Sequence, residues 1–243
     1  MQRRCVPLVA LIGIDCATQP NKVGLALAQW DGAVAKVVEC RTGSAAEPPA
    51  LIVSRWLEHS DTTLLALDAP LGWPVALAQR LPAHQAGAGM GAEAHALFRR
   101  RTDDAIHRRF AKRPLEVGAN FISRTAVAAL ALLEELRDEH SHPIPLAWKP
   151  ADLERVSAIE VYPAATRLAH GSEGRGGSLE GLEQALDLTA LGGHLPASAD
   201  AVDALVCVVA AADFLQGRAP GPEDLALAQH EGWIWTAERL MPD

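Results

Sequence analysis

The sequence predicts an α/β protein with a mixed sheet flanked by helices, and three features lead there. The run Leu8–Asp15 (LVALIGID) is apolar throughout and ends in one carboxylate, the pattern of a strand covered on both faces. A second run of the same form, Leu64–Asp68 (LLALD), follows a segment with helical spacing. The third feature is Ala199–Ala212 (ADAVDALVCVVAAA), a helix apolar over most of its circumference that opens on Asp200 and Asp203. Three distant segments therefore each deliver acid to an apolar boundary.

The elements follow in order. Residues 16–21 are turn-rich, after which Val23, Leu25 and Leu27 alternate with small residues up to Trp30 as a second strand. Asp31-Gly32 is a hairpin signal and Ala33–Cys40 its partner strand, so the chain opens with an antiparallel meander. Pro48-Pro49 introduces a helix over Ala50–His59, with Leu51, Val53, Trp56 and Leu57 on its buried side. After that crossover, Leu64–Asp68 is expected to run parallel to the first strand. From about Gly72 to Pro150 the chain reads as a helical insertion. It contains the turn Leu71–Pro74, the loop His84–Glu93 with Gly87, Gly89 and Gly91, the basic segment Phe98–Arg113 and a long helix over Phe121–His140. The glycine cluster lacks the Lys-Ser/Thr of a phosphate loop and reads as an ordinary loop. Ser157–Tyr162 (SAIEVY), stopped by Pro163, completes a five-stranded sheet. Gly171–Ser178 reads as a linker-like loop, and Gly232–Thr236 suits a further short strand with Trp233 and Trp235 on one face. The whole, residues 1–243, is expected to be a single domain with an insertion at about 72–150.

Composition restricts the function. Acidic residues outnumber basic ones 30 to 22, giving a formal net charge of −8. That balance argues against strong non-specific attraction to nucleic acid, which comes mainly from Lys and Arg on phosphates. A phosphodiester substrate would need a local basic patch or bound cations. Cys5, Cys16, Cys40 and Cys207 show no CxxC spacing and suit reduced thiols in a cytoplasmic protein. The start MQRRCVPLVALIGID carries Pro7 and ends in Asp15, which fits a strand better than a signal peptide, and no apolar stretch is long enough for a membrane span.

The last helix carries the most information. Asp200 and Asp203 are three residues apart and share a helical face, and Ser198 stands where an N-cap belongs. First-turn acids interact favourably with the positive end of a helix, which accounts for Asp200. Asp203 has neighbours that imply burial, and an unpaired buried carboxylate is costly unless a bound cation or a nearby Arg offsets it. Carboxylates converging from separate segments are what a hard ion such as Mg²⁺ or Mn²⁺ requires. Two such ions, roughly 3.5–4 Å apart, can activate a water and stabilise the leaving oxygen in phosphodiester cleavage.

Taken together, GIDCA at Asp15, LDAPLGWP at Asp68, the FRRRTDDAIHRRF block, IEVYPAA, ADAVDALVC and the terminal EGWIW carry a resemblance. They resemble the predicted-nuclease domain-of-unknown-function family 429, and the DxxDAL pattern is similar to that of Holliday-junction resolvases. The resemblance covers most of the chain. It implies a ribonuclease H-like fold and a two-metal centre holding Mg²⁺ or Mn²⁺. In it Asp15 would bridge both ions, Asp68 would supply the acid after the fourth strand, and Asp200 or Asp203 the acid of the final helix. Ribonuclease H proper also uses a first-helix Glu, for which Glu58 is the nearest candidate.

Further residues are open to two readings each. Glu160, alternating with Ile159 and Val161, suits either a fourth acid near the metals or a solvated strand position. Arg99, Arg100, Arg101, Arg108 and Arg109, with Lys112 and Arg113, place seven bases in fifteen positions, either to hold substrate phosphates or as a solvated face paired with Asp103 and Asp104. His194 could shuttle a proton or sit idle in its loop, and Trp73 could stack a base or simply pack. The chain shows no GxSxG nucleophile and no zinc motif. The leading expectation is a metal-dependent nuclease or phosphodiesterase acting on nucleic acid or another phosphodiester. An actin-like ATP-dependent phosphotransferase and a non-catalytic binding module that keeps the fold are the rivals.

Overall fold

One mixed sheet of six strands frames the molecule. They are β1 (Val9–Asp15), β2 (Gly24–Trp30), β3 (Ala35–Thr42), β4 (Thr63–Asp68), β5 (Val156–Glu160) and β6 (Leu186–Asp187), in the order β5-β4-β1-β2-β3-β6. The computed structural model describes residues 8–172 and 176–239; Cys5 and the centre of the loop Gly171–Ser178 lie outside them. β1, β2 and β3 form the expected antiparallel meander. After α1 (Pro49–Leu57), β4 runs parallel to β1, and β5 runs parallel to β4.

The sheet has six strands, not five. The extra one, β6, is only two residues long and pairs in parallel with Ala35 and Lys36 at the outer edge. A two-residue strand is too short to show alternation, and its pairing comes from the chain that follows α6 (Pro163–Ala169) passing along β3. The stretch Gly232–Thr236 makes only a single bridge, Ile234 to Glu160. Its alternation is nonetheless present. Trp233 and Trp235 pack with Phe214 on one side, the Trp235 ring edge-on to Phe214 at 4.7 Å, while Ile234 packs with Ile106 and Phe110.

Helices cover both faces. On one side α7 (Ala199–Leu215), buried continuously from Ala204 to Phe214, packs against β1, β2 and β3. On the other, α1 and α5 (Asn120–His140) cover Ile12, Ile14, Leu65 and Leu67. Burial on both faces explains why β1 and β4 read as unbroken apolar runs. Two glycines set how near α7 comes to the sheet. A Cβ on Gly13 would overlap the Ala204 carbonyl oxygen, and one on Gly24 would overlap that of Asp200. Backbone therefore rests directly on backbone at both points.

The segment between β4 and β5, the expected insertion, carries helices, with α2 (Val75–Arg80), α3 (Ala94–Phe98) and α4 (Arg101–Phe110) preceding α5. A buried ionic knot anchors it. Arg100, 1% exposed, donates through Nη2 to Asp103 at 2.9 Å and to Glu160 at 2.8 Å, and through Nη1 to Glu160 at 2.9 Å. The Leu71 N–H also donates to Glu160, at 3.0 Å. Beside this knot, α8 (Leu225–Glu231) ends in Glu231, whose carboxylate accepts the N–H groups of Val75 and Arg101, each at 2.9 Å. Those are orphan donors at the starts of α2 and α4. Among the described residues, no helix is long and apolar enough to cross a membrane.

Candidate active site

Asp15 and Asp68 are the last register pair of β1 and β4, neighbours across a parallel ladder whose strands lie about 4.8 Å apart. Alternation settles which way they face. Asp15 continues the side of Leu11 and Gly13, and Asp68 that of Leu64 and Ala66, which is the side α7 covers. Because Gly24 pairs with Asp15 and also lies under the Asp200 carbonyl, the first turns of α7 are brought over this end of the sheet.

The electrostatics follow from that placement. Burial pushes the Asp15 carboxyl up to about 7, with repulsion from Asp203 and Asp200 adding to it. Asp68 is pushed well above the ordinary carboxylate range by burial first, then by Asp15, Asp203 and Glu160. Two neighbouring carboxylates whose ionisation is opposed by burial and mutual repulsion mark an acidic site only partly balanced by positive charge. Ser198 occupies the N-cap position of α7 but makes no capping bond; its hydroxyl donates to Asp200 Oδ2 at 3.4 Å.

Asp203 is compensated, and by a residue the sequence reading passed over. Arg167 on α6, 2% exposed, donates through Nη2 to Asp203 Oδ1 and through Nε to the Ser178 carbonyl at 3.0 Å. The Gly177 N–H donates to the same Asp203 oxygen at 2.9 Å. Arg167 also lowers the proton affinity of both Asp15 and Asp68, though by less than burial raises it. The sequence offers only a faint signal: Arg167 is the one Lys or Arg between Ser157 and Ser172.

Hard oxygen donors suit Mg²⁺ or Mn²⁺, and the raised proton affinities of Asp15 and Asp68 are what an ion between them would relieve. Among the described residues, however, no three of His, Cys, Asp or Glu stand close enough together to share an ion. Asp15 and Asp68 fit one such ion, since Mg²⁺ is commonly held by one or two carboxylates with water and substrate oxygens. A full set for two ions does not assemble while Asp203 is turned onto Arg167.

Of the other expected residues, Glu160 lies beside Asp68 and the rest lie apart from the four aspartates. Glu160 is neither a solvated residue nor a free acid: it is buried and held by Arg100, with a proton affinity raised by burial and pulled back by Arg100. Arg100 is likewise no surface base. Arg99 pairs with Glu116 at 3.0 Å. Arg109 donates to the carbonyls of Thr236 and Ala237 at 3.0 and 2.7 Å, pinning the C-terminal segment. Arg101 and Arg108 remain exposed and, with Arg109, line a cavity of about 420 Å³ against Pro220–Asp224 and Trp233. None of the four aspartates borders it. His194 is exposed in its loop, Trp73 is half-buried, and Glu58 is exposed at the end of α1. A smaller cavity of about 200 Å³ does adjoin Asp68, between Cys16, Pro70 and Tyr162 on one side and Pro114, Leu115, Ile122 and Thr125 of the insertion on the other.

No match was found among curated proteins or among solved structures. A family model described as "Protein of unknown function (DUF429)" matches residues 13–225, a span that takes in Asp15, Asp68, Arg167, Asp200 and Asp203, and the chain belongs to that family.

Proposed function

We propose that this protein is a Mg²⁺- or Mn²⁺-dependent phosphodiester hydrolase, a nuclease or phosphodiesterase, built on a ribonuclease H-like sheet. The observation that carries the reading is the register pairing of Asp15 with Asp68 beneath Asp200 and Asp203 of α7. The strand order β5-β4-β1-β2-β3, antiparallel in its first three members and parallel beyond, supports it, with β6 as an edge addition. The described residues form one sheet without a duplicated half, which favours hydrolysis over an actin-like kinase.

In this reading a bound divalent ion supplies Lewis acidity and a water of lowered pKa. Asp15 and Asp68 would hold it, giving up any bound proton in exchange. The cavity beside Asp68 gives the group flanking the scissile phosphate a place against Leu115 and Ile122. With a net charge of −8, the protein would meet phosphate through the ion more than through its own bases.

The test is hydrolysis of bis(p-nitrophenyl) phosphate and of single- and double-stranded oligonucleotides in Mn²⁺. Asp15→Asn should abolish metal-dependent cleavage with the circular dichroism spectrum unchanged. Unaltered cleavage in that variant would sink the assignment, as would wild-type protein inert toward every phosphodiester offered.

A further inference from the structure

We propose that Arg167 is a resident cation of the carboxylate cluster, taking the role of a second metal ion, so that the centre holds one Mg²⁺ or Mn²⁺ per chain. The inference rests on the reading of this cluster as a metal-dependent centre and concerns how its charge is balanced.

Asp15 and Asp68 form the last register pair of β1 and β4 with the first turns of α7, bearing Asp200 and Asp203, over that end of the sheet, and carboxylates gathered in this way need positive charge. Part of it is built in. The Arg167 guanidinium cannot be deprotonated, so its charge is permanent. It is buried, and it is fixed at two points, by Asp203 through Nη2 and by the Ser178 carbonyl through Nε. Holding Nε in that bond sets the plane of the fork and keeps it from swinging out to solvent. Asp203 Oδ1 is in turn occupied twice, by Arg167 and by the Gly177 N–H. An oxygen already accepting two donors is a poor ligand for a second ion, and a dication placed there would face a buried positive charge at close range. Among the described residues Asp15 and Asp68 have no such cationic partner at hydrogen-bond distance, and as the register pair at the end of β1 and β4 they remain the place for an ion. This division also accounts for the absence of a three-acid ligand set among the described residues.

An arginine that served only to anchor the chain at Ser178 would leave ion stoichiometry untouched, which makes the count of bound ions the discriminating measurement. Mn²⁺ binding is followed by isothermal titration calorimetry, with bound Mn²⁺ counted by electron paramagnetic resonance, on wild type, Arg167→Lys and Arg167→Met. One ion per chain is expected in wild type and in Arg167→Lys, which keeps the charge while losing the Nε bond. Two are expected in Arg167→Met. Two ions in wild type overturn the proposal even if neither variant folds, and one ion in all three proteins overturns it as well. Failure of the functional reading looks different: wild type and Asp15→Asn would then both bind no Mn²⁺ at all.

Discussion

Asp15 shows how a single residue can oppose the stability of the fold it serves. Its carboxyl is raised to about 7 by burial and by the neighbouring acids, against an ordinary value near 3.9 in an unfolded chain. The folded state therefore binds a proton that the unfolded state has already lost between about pH 4 and pH 7, so stability falls as pH rises through that window. Above it the penalty is constant, and below it absent. In EDTA at pH 8, Asp15→Asn should be more stable than wild type by on the order of 1 to 4 kcal/mol, and by much less at pH 4.5. Urea denaturation at the two pH values measures this. A variant less stable than wild type at pH 8 contradicts it. Adding Mn²⁺ at pH 8 should stabilise wild type and leave the variant unmoved. At this scale the sequence was partly legible. Asp15 and Asp68 stand at the ends of apolar runs and declare themselves. Arg167 did not, because a lone base in a short helix has no periodic partner to mark it. Of the two readings of Glu160 only the solvated one is excluded: alternation gives the face of a strand residue, but on a sheet covered on both sides neither face is solvent.

Among the elements, α7 decides whether the acids meet. Its long apolar run was readable from composition, but its distance from the sheet was not, since that depends on two glycines in separate strands. A glycine inside a strand pattern signals a bulge or a close approach without saying of what. Here a Cβ on Gly13 meets the Ala204 carbonyl, a backbone atom that cannot rotate away. Gly13→Ala should therefore push α7 outward and cost about 1–3 kcal/mol or more, the range for overpacking a dense interior. It should also weaken Mn²⁺ binding, because Asp200 and Asp203 move with the helix away from Asp15 and Asp68. A thermal midpoint and Mn²⁺ affinity equal to wild type would show that α7 is not seated through this contact. The two-residue β6 escaped detection for a different reason, being an edge pairing set by the path of the chain and not by any local preference.

For the whole molecule, the basic block proved to be mostly internal wiring. Arg100 joins α4 to the end of β5, Arg109 holds the C-terminal segment, Arg99 pairs with Glu116, and Arg101 and Arg108 have side chains without a hydrogen bond or ion pair among the described residues. The insertion is thereby keyed to the sheet at the strand next to Asp68. Removing one member of a buried ion pair leaves its partner uncompensated, at about 3–5 kcal/mol. Glu160→Ala should lose stability on that scale, and joining it to Arg100→Met should recover part of the loss. Chemical denaturation of the single and double variants checks this, and additive losses would contradict the coupling.

The segment after residue 225 sets how far the molecule is modular. The family match stops there, yet Glu231 secures the starts of two insertion helices and Ile234 bridges to Glu160. A fragment trimmed to the matched span would keep Asp15, Asp68, Asp200, Asp203 and Arg167 while losing the clasp that closes the insertion over the sheet. The portion that identifies the lineage is thus smaller than the portion that is transferable as a working unit, and any fusion or transplant should carry the chain through at least Ala237, where Arg109 takes its second carbonyl.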